Sequence, residues 1–239
     1  MFAINSVVAL RGKPANDRAG YLRRIAAKLR ENVAHLARTI TLEQGKISAL
    51  AEVEVNFTAD YLDYMAEWAR RIEGEIITSD RANENIFLFR KPLGVVAGIL
   101  PWNFPFFLIA RKLAPALITG NTIVIKPSEE TPINAYEFAK LVAETDLPKG
   151  VFNLVGGLGR STGQALVEHP QVDLITFTGS VATGSRIMQT AGRNLTRVNL
   201  ELGGKAPAIV LADADLDLAA TRLALDKIAA GTPAVAVNL

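Results

Sequence analysis

Residues 92–110 read PLGVVAGILPWNFPFFLIA, a run of 19 residues without a charged side chain. A run of that length can form a transmembrane helix. Pro92, Pro101 and Pro105 argue against one, because proline inside a helix removes a backbone hydrogen bond and clashes with the preceding turn. The stretch instead predicts a buried strand, a tight loop around Asn103 and the start of a buried helix. We therefore expect no membrane contact and a cytoplasmic location.

Short apolar runs continue along the chain, with helical patterns between them. They lie at residues 95–100, 122–125, 151–155, 174–177, 198–200 and 208–211. Strands that are apolar on both faces are typical of parallel sheets covered by helices. The sequence therefore predicts an α/β fold with a doubly wound, mostly parallel, Rossmann-like sheet. Thr131 and Ser180 are the predicted N-caps of two of its helices.

Two further elements precede this sheet. Apolar residues recur at three- and four-residue spacing in residues 16–44 and again in 48–71, which predicts two long N-terminal amphipathic helices. Residues 75–91 predict a β-hairpin, because apolar segments flank the polar turn at 79–85. We expect this excursion to serve a partner surface.

The composition excludes several classes of function. The chain has 239 residues, enough for one large or two modest domains, and its 26 Lys and Arg are balanced by 24 Asp and Glu. Because these charges are scattered, we expect no nucleic-acid binding. The chain has no cysteine and 2 histidines, which excludes disulfides, thiolate metal sites and a cysteine nucleophile. We expect no metal site.

Two glycine-containing turns are candidate phosphate sites. Residues 156–163, which include Gly159, follow a predicted strand, where glycine lets backbone amides approach a pyrophosphate. An ordinary strand-to-helix turn explains their spacing equally well. Residues 177–180, Phe-Thr-Gly-Ser, end another strand and open a helix whose N-terminus attracts anions. Ser180 could also simply cap that helix, and both interpretations can hold together.

Charged and amide side chains follow three other strands. Lys126, Ser128 and Glu129 lie at an edge where α/β sheets bind ligands, and a cation with a carboxylate there can hold a ribose or a phosphate. A solvated surface pair is the alternative. Asn103 could donate to an oxyanion or stabilise a turn. Glu201 suits general-base work, because partial burial raises the pKa of a carboxylate, or it could pair with Lys205.

Taken together and in order, residues 101–105, 126–129, 177–180 and 201–205 resemble the aldehyde dehydrogenase superfamily. The resemblance covers about residues 10–228, and residues 51–68 look most like its lactaldehyde and glycolaldehyde dehydrogenase branch. It implies NAD-dependent oxidation of an aldehyde through a covalent intermediate on a cysteine. By the same resemblance, Asn103 donates to the oxyanion and Glu201 activates the cysteine or the hydrolytic water.

The resemblance also implies the remaining site residues. Arg111 would meet a polar end of the substrate, Lys126 and Glu129 would hold the adenosine ribose, and Ser180 would meet the pyrophosphate. The full set expected to contact NAD is Leu100, Trp102, Lys126, Ser128, Glu129, Gly159, Phe177, Gly179, Ser180 and Leu202.

Departures from the family pattern lead to further expectations. Family members are about twice as long, and the place of the nucleophilic cysteine holds GTPAVAV at residues 231–237. We therefore expect an NAD-binding domain at 1–228 carrying the 75–91 oligomerisation-type hairpin, a non-family tail at 229–239 produced by a shifted reading frame, and no catalytic domain. Such a chain would be inactive alone.

Two other functions remain open at this point. The chain could be a non-catalytic assembly protein that self-associates or binds full-length dehydrogenase subunits through its hairpin. It could also be an intact dehydrogenase of another mechanism that uses Glu201 or Tyr136.

Overall fold

The computed structural model describes residues 3, 6, 7, 10, 12–204 and 209–229, and of residues 225–229 it describes the backbone alone. In this part of the chain the helices are α1 (Ala15–Glu31), α2 (Val33–Gln44), α3 (Ser48–Ala66), α4 (Phe107–Ile118), α5 (Ile133–Ala143), α6 (Gln164–Glu168), α7 (Val181–Asn194) and α8 (Leu216–Ala229). The strands are β1 (Glu75–Thr78), β2 (Asn85–Leu88), β3 (Val95–Ile99), β4 (Thr122–Lys126), β5 (Phe152–Leu154), β6 (Leu174–Gly179) and β7 (Arg197–Leu202).

The predicted α/β fold is confirmed. Strands β3 to β7 form one parallel sheet in the order β5-β4-β3-β6-β7, and β1 and β2 form a separate antiparallel hairpin. From β3 the chain adds β4 and β5 on one side and then returns to add β6 and β7 on the other. Neighbouring strands β3 and β6 therefore meet at a topological switch point, where a crevice opens at their carboxyl ends.

The two faces of the sheet carry different side chains. Ile99 is the register partner of both Lys126 and Phe177, so these three lie on one face, the face that packs on α6 and α7. Glu201 is paired with Thr178, one residue further along, and therefore lies on the opposite face, beside α4. This alternation separates the predicted cofactor residues from the predicted general base.

Residues 92–110 form the predicted buried strand, loop and helix start. All five residues of β3 are buried, a loop follows, and α4 begins at Phe107. No helix in the described ranges is long and apolar enough to span a membrane. The same ranges contain no cluster of three or more His, Cys, Asp or Glu side chains that could hold a metal ion.

The helix predicted over residues 16–44 is wrong in one respect, because the structure divides it into α1 and α2 at Asn32. The backbone of Asn32 leaves the helical region, with φ −120° and ψ 17°. Its side-chain amide donates to the carbonyl of Lys28, at 2.9 Å, and its N–H bonds to Leu29. These local bonds compete with the helical ladder, as asparagine often does.

The strand predicted at 208–211 is also wrong over the residues that can be compared. Ile209, Val210 and Leu211 are irregular and exposed, and residue 208 lies outside the described residues. A strand needs a paired neighbour for its backbone groups, and the described residues supply none here. The tail at 230–239 and Lys205 likewise lie outside the described residues.

Thr131 was predicted to cap α5, and this prediction is wrong. The hydroxyl of Thr131 has no hydrogen-bond partner in the described part of the chain. The Glu43 carboxylate, from the end of α2, takes the capping role instead: it accepts from the backbone N–H groups of Ile133 and Asn134. Sequence spacing did not reveal this cap because its acceptor lies 90 residues away.

Candidate cofactor groove and catalytic cleft

A cavity of about 410 Å³ opens at the carboxyl ends of β3, β4 and β6. Eight of the ten residues predicted to contact NAD line it: Leu100, Trp102, Lys126, Glu129, Gly159, Phe177, Gly179 and Ser180. Ser128 and Leu202 lie outside this lining. Ser128 accepts a hydrogen bond from the N–H of Glu130, and Leu202 is the nearest neighbour of Gly184 on α7. We call this cavity the cofactor groove.

The most constrained polar group in the cofactor groove is the Lys126–Glu129 pair. Lys126 Nζ lies 2.7 Å from Glu129 Oε2, and the Lys126 side chain is only 2% exposed. The other Glu129 oxygen accepts from the N–H of Gly159, at 3.0 Å. The Lys126 hydrogen bond, followed by the Gly159 N–H, lowers the pKa of Glu129 to about 2. The carboxylate is thus held ionised between two strand ends.

The β6–α7 connection forms a second part of the groove. Ser180 caps α7, because its side chain accepts from the N–H of Thr183, so the capping interpretation of Ser180 is confirmed. A Cβ placed at Gly179 would lie 2.4 Å from the Phe177 ring. Glycine is therefore needed for the backbone to pass this close to the ring, next to the positive end of α7.

Thr178 is a groove residue that the sequence did not single out. Thr178 is among the residues lining the groove, and its hydroxyl oxygen is buried without a hydrogen-bond partner among the described residues. By the alternation of β6, its side chain lies on the same face of the sheet as Glu201. A buried polar group without a partner is costly and rare in native structures. Burial cannot be read from a threonine in an apolar strand, so no sequence signal identified it.

A second cleft, of about 370 Å³, lies on the other face of the sheet and contains Glu201. Arg111 Nε donates to both Glu201 oxygens, at 3.2 and 3.0 Å. The predicted substrate contact and the predicted general base therefore hold each other. The alternative partner, Lys205, lies outside the described residues. We call this second cavity the catalytic cleft.

Lys112 lies deeper in the catalytic cleft. Its side chain is 1% exposed, donates to the Thr176 hydroxyl at 3.1 Å, and lies 3.9 Å from Glu201. Desolvation by burial lowers the pKa of Lys112 to about 8, with Arg111 adding to the decrease and Glu201 opposing it. This lysine was not predicted, because a single lysine on an apolar helix gives no signal of burial.

Asn103 lies in the loop between β3 and α4. Its carbonyl accepts from Lys46 Nζ at 3.1 Å and from Gln44 Nε2 at 3.4 Å. Its side-chain oxygen is buried and finds no partner within the described ranges. The next residue back, Trp102, lines the cofactor groove, so one loop serves the groove and carries the predicted oxyanion donor.

Comparison with known proteins decides what this arrangement belongs to. The sequence profile of the family described as "Aldehyde dehydrogenase family" matches residues 3–231. The chain belongs to the aldehyde dehydrogenase family. It is 65% identical over 206 residues to the lactaldehyde dehydrogenase of Escherichia coli strain K12, a match that covers 86% of this chain and 43% of that enzyme.

Solved structures of family members superpose closely on the chain. One lactaldehyde dehydrogenase structure gives a TM-score of 0.91 at 60% identity, covering 95% of this chain and 47% of the other. A 3,6-anhydro-L-galactose dehydrogenase in complex with NAP gives 0.91 at 41% identity, with the same coverage. The chain thus spans less than half the length of the relatives that it matches.

Proposed function

We propose that this chain is the NAD-binding part of an aldehyde dehydrogenase, with the cofactor groove as its binding site. The observation that carries this proposal is the Lys126–Glu129 pair, tied to Gly159 and lining the groove at the carboxyl end of β4, next to the switch-point strand β3. Sheets of this kind bind dinucleotides there, with an acidic side chain on the ribose hydroxyls.

The groove residues suit the two ends of a dinucleotide. Glu129, ionised and held at both oxygens, presents an acceptor for ribose hydroxyls, and Lys126 neutralises it. Ser180 and the N-terminus of α7 suit the pyrophosphate, since helix N-termini attract anions. A fixed carboxylate beside the ribose also disfavours a 2′-phosphate, so NAD is the cofactor that we propose over NADP.

The groups proposed for aldehyde chemistry are Glu201 and Arg111 in the catalytic cleft and Asn103 in the β3–α4 loop. When bound, the cofactor supplies the hydride acceptor for oxidation of the aldehyde. The Asn103 side-chain amide donates to the oxygen of the reacting carbonyl. Once Arg111 releases the Glu201 carboxylate, Glu201 removes a proton from the cysteine or the hydrolytic water of the family reaction. Arg111, freed in this way, holds a polar end of the substrate. The parent reaction is oxidation of a small aldehyde, of the lactaldehyde kind, to a carboxylate.

This chain alone is proposed to be inactive, because the sequence contains no cysteine to form the covalent intermediate of the family. Residues 1–228 would serve as the NAD-binding domain. A non-catalytic assembly role is the second candidate, and the hairpin favours it: all eight residues of β1 and β2 are exposed, including Ile76 and Phe87. Mixing with a full-length relative and measuring sedimentation separates the two candidates, since only an assembly protein forms a mixed complex.

Calorimetric titration of the chain with NAD and with NADP tests cofactor binding. We expect weak binding, detectable at about millimolar NAD, and weaker binding of NADP. Glu129→Gln should reduce the preference for NAD. Glu137→Gln is the matched control, because Glu137 also pairs with a lysine three residues away but lies on α5, outside the groove. A folded chain that gives no heat with NAD would overturn the proposed function.

A further inference from the structure

A buried ion pair lies behind the loop that carries Asn103, and the chemistry proposed above does not use it. Lys46 Nζ is 2.5 Å from Glu54 Oε2, and both side chains are 1% exposed. Lys46 follows α2, and Glu54 lies in the second turn of α3. Removing both charges from water is unfavourable unless further partners compensate for the lost hydration. Those partners identify what the pair does.

Both members of the pair bind the β3–α4 loop. Lys46 Nζ donates to the Asn103 carbonyl oxygen at 3.1 Å and lies 3.8 Å from the centre of the Phe104 ring. Glu54 Oε1 accepts from the backbone N–H groups of Phe106 and Phe107, at 2.9 and 3.0 Å. Lys46 therefore holds the start of the loop, and Glu54 holds its end and the first turn of α4.

These contacts hold the backbone that follows the Asn103 side chain. With its carbonyl held by Lys46, the Asn103 peptide has little freedom to rotate, and the amide of the side chain keeps one direction. Trp102, which directly precedes Asn103, lines the cofactor groove. Misplacement of such a group by an ångström is costly to a reaction.

We propose that Lys46 and Glu54 are positioning residues, which set the oxyanion donor Asn103 and the groove residue Trp102 through the loop backbone. This rests on the roles proposed above for those two residues. Stability alone does not account for the pair, because replacing a buried ion pair with neutral side chains of similar size is often neutral or stabilising. What an apolar side chain cannot replace is the donor to the Asn103 carbonyl.

Two double variants distinguish the hydrogen bond from Lys46 to the loop from the hydrogen bonds that Glu54 accepts. Lys46→Met with Glu54→Gln removes both charges and the donor to Asn103, but keeps an amide oxygen for the N–H groups of Phe106 and Phe107. Lys46→Met with Glu54→Leu removes the hydrogen bonds of both residues to the loop. Arg30→Met is the matched control, since Arg30 forms ion pairs with Asp60 and Asp63 on the same helix α3, at 2.7 Å each, away from the loop.

The measurement is acrylamide quenching of Trp102 fluorescence in a Trp68→Phe background, which leaves Trp102 as the only tryptophan. The Met/Gln variant should melt within a few degrees of its parent while the quenching constant rises about twofold, because local release of the loop needs no global unfolding. The Met/Leu variant should show a larger rise, and Arg30→Met none. NAD affinity should fall about tenfold in Met/Gln.

Each other outcome has a defined meaning. Unchanged quenching in a folded Met/Gln protein would overturn the positioning role, and so would failure of Met/Gln to fold, because the pair would then be structural. An equal rise in Arg30→Met would also contradict it. If the parent chain itself binds no NAD, the proposed function fails, but the quenching result still decides on the positioning of the loop.

Discussion

Two cation–carboxylate pairs lie on opposite faces of the same sheet, and they differ in how firmly they are held. In the cofactor groove, Lys126 and Glu129 are three residues apart, and the cation is buried. In the catalytic cleft, Arg111 and Glu201 come from α4 and β7, and their side chains are 43% and 32% exposed. One pair is set by a single turn of chain after β4, whereas the other depends on two elements and is open to solvent.

The difference shows which part of the site the fold builds in advance. Exposed ion pairs contribute little free energy, because water competes for both partners. Arg111 can therefore release Glu201 at low cost, as a general base requires. The Lys126–Glu129 pair is shielded on its cation side and tied to Gly159, so it stays formed. We therefore expect a rigid cofactor groove and an adjustable catalytic cleft. The following experiments test that contrast.

The largest expected effect concerns Lys112, the buried cation of the cleft. Its folded pKa of about 8 lies below the usual value of 10.5, so between these pH values the unfolded chain binds more protons. The free energy of unfolding should therefore rise with pH across that window, by up to about 3 kcal/mol. Below pH 8 the burial of protonated Lys112 lowers the free energy of unfolding by a constant amount. Denaturant unfolding at several pH values measures it.

Lys112→Met supplies the reference for this measurement, because it removes the ionising group and keeps an apolar stem of similar length. The difference in unfolding free energy between wild type and variant should change from pH 8 to 10.5. Parallel curves would show that Lys112 is not desolvated and would contradict its burial in the catalytic cleft.

The next effect concerns the groove. Lys126→Met should weaken NAD binding about 30-fold, or about 2 kcal/mol, because a charge-assisted hydrogen bond is lost and Glu129 is released. Lys140→Met is the control: Lys140 also pairs with a glutamate three residues away, at 2.6 Å, but is exposed on α5. Equal affinities for the two variants in a calorimetric titration would remove the reason to place NAD in the groove.

A smaller effect is expected from Glu129 at acidic pH. Its pKa is lowered from 4.5 to about 2, so its stabilising contribution is complete above pH 4.5 and is lost as the pH falls through 2. Because the side chain is 39% exposed, solvent screening keeps this contribution below about 1 kcal/mol. Wild type and Glu129→Gln should therefore converge in unfolding free energy on acidification. Divergence would contradict the assigned pairing.

The smallest effect is expected from Arg111→Met. Since the Arg111 side chain is exposed and Glu201 is only half-buried, we expect a change in unfolding free energy of at most about 0.5 kcal/mol. Urea unfolding at neutral pH measures it. A loss of more than about 2 kcal/mol would mean that the pair is part of the fold, and the contrast with the groove would then disappear.

Much of the fold could be predicted from the chain because its signals are local. The apolar runs at β3, β4 and β6, the prolines around Asn103 and the polar turn of the hairpin each act within a few residues. The same holds for Ser180, which caps the helix that it precedes. Two predictions were wrong because the local structure depends on a partner that is distant or absent. Glu43 caps α5 in place of Thr131, and residues 209–211 have no neighbouring strand among the described residues.

The site was predicted less completely, for a related reason. Resemblance to the family named the groove residues, but the buried state of Thr178, Lys112 and Lys46 depends on packing between elements far apart in sequence. Composition and spacing carry no record of that packing. The Arg111–Glu201 ion pair likewise connects two residues that are 90 positions apart in the sequence.

A crystal structure of the chain grown with NAD tests the central claim most directly. We predict electron density for the dinucleotide in the cofactor groove, with a ribose on Glu129, the pyrophosphate at Ser180, and the Arg111–Glu201 pair unchanged on the other face of the sheet. Density for NAD in the catalytic cleft, or an empty groove in crystals whose solution contained saturating NAD, would contradict the account.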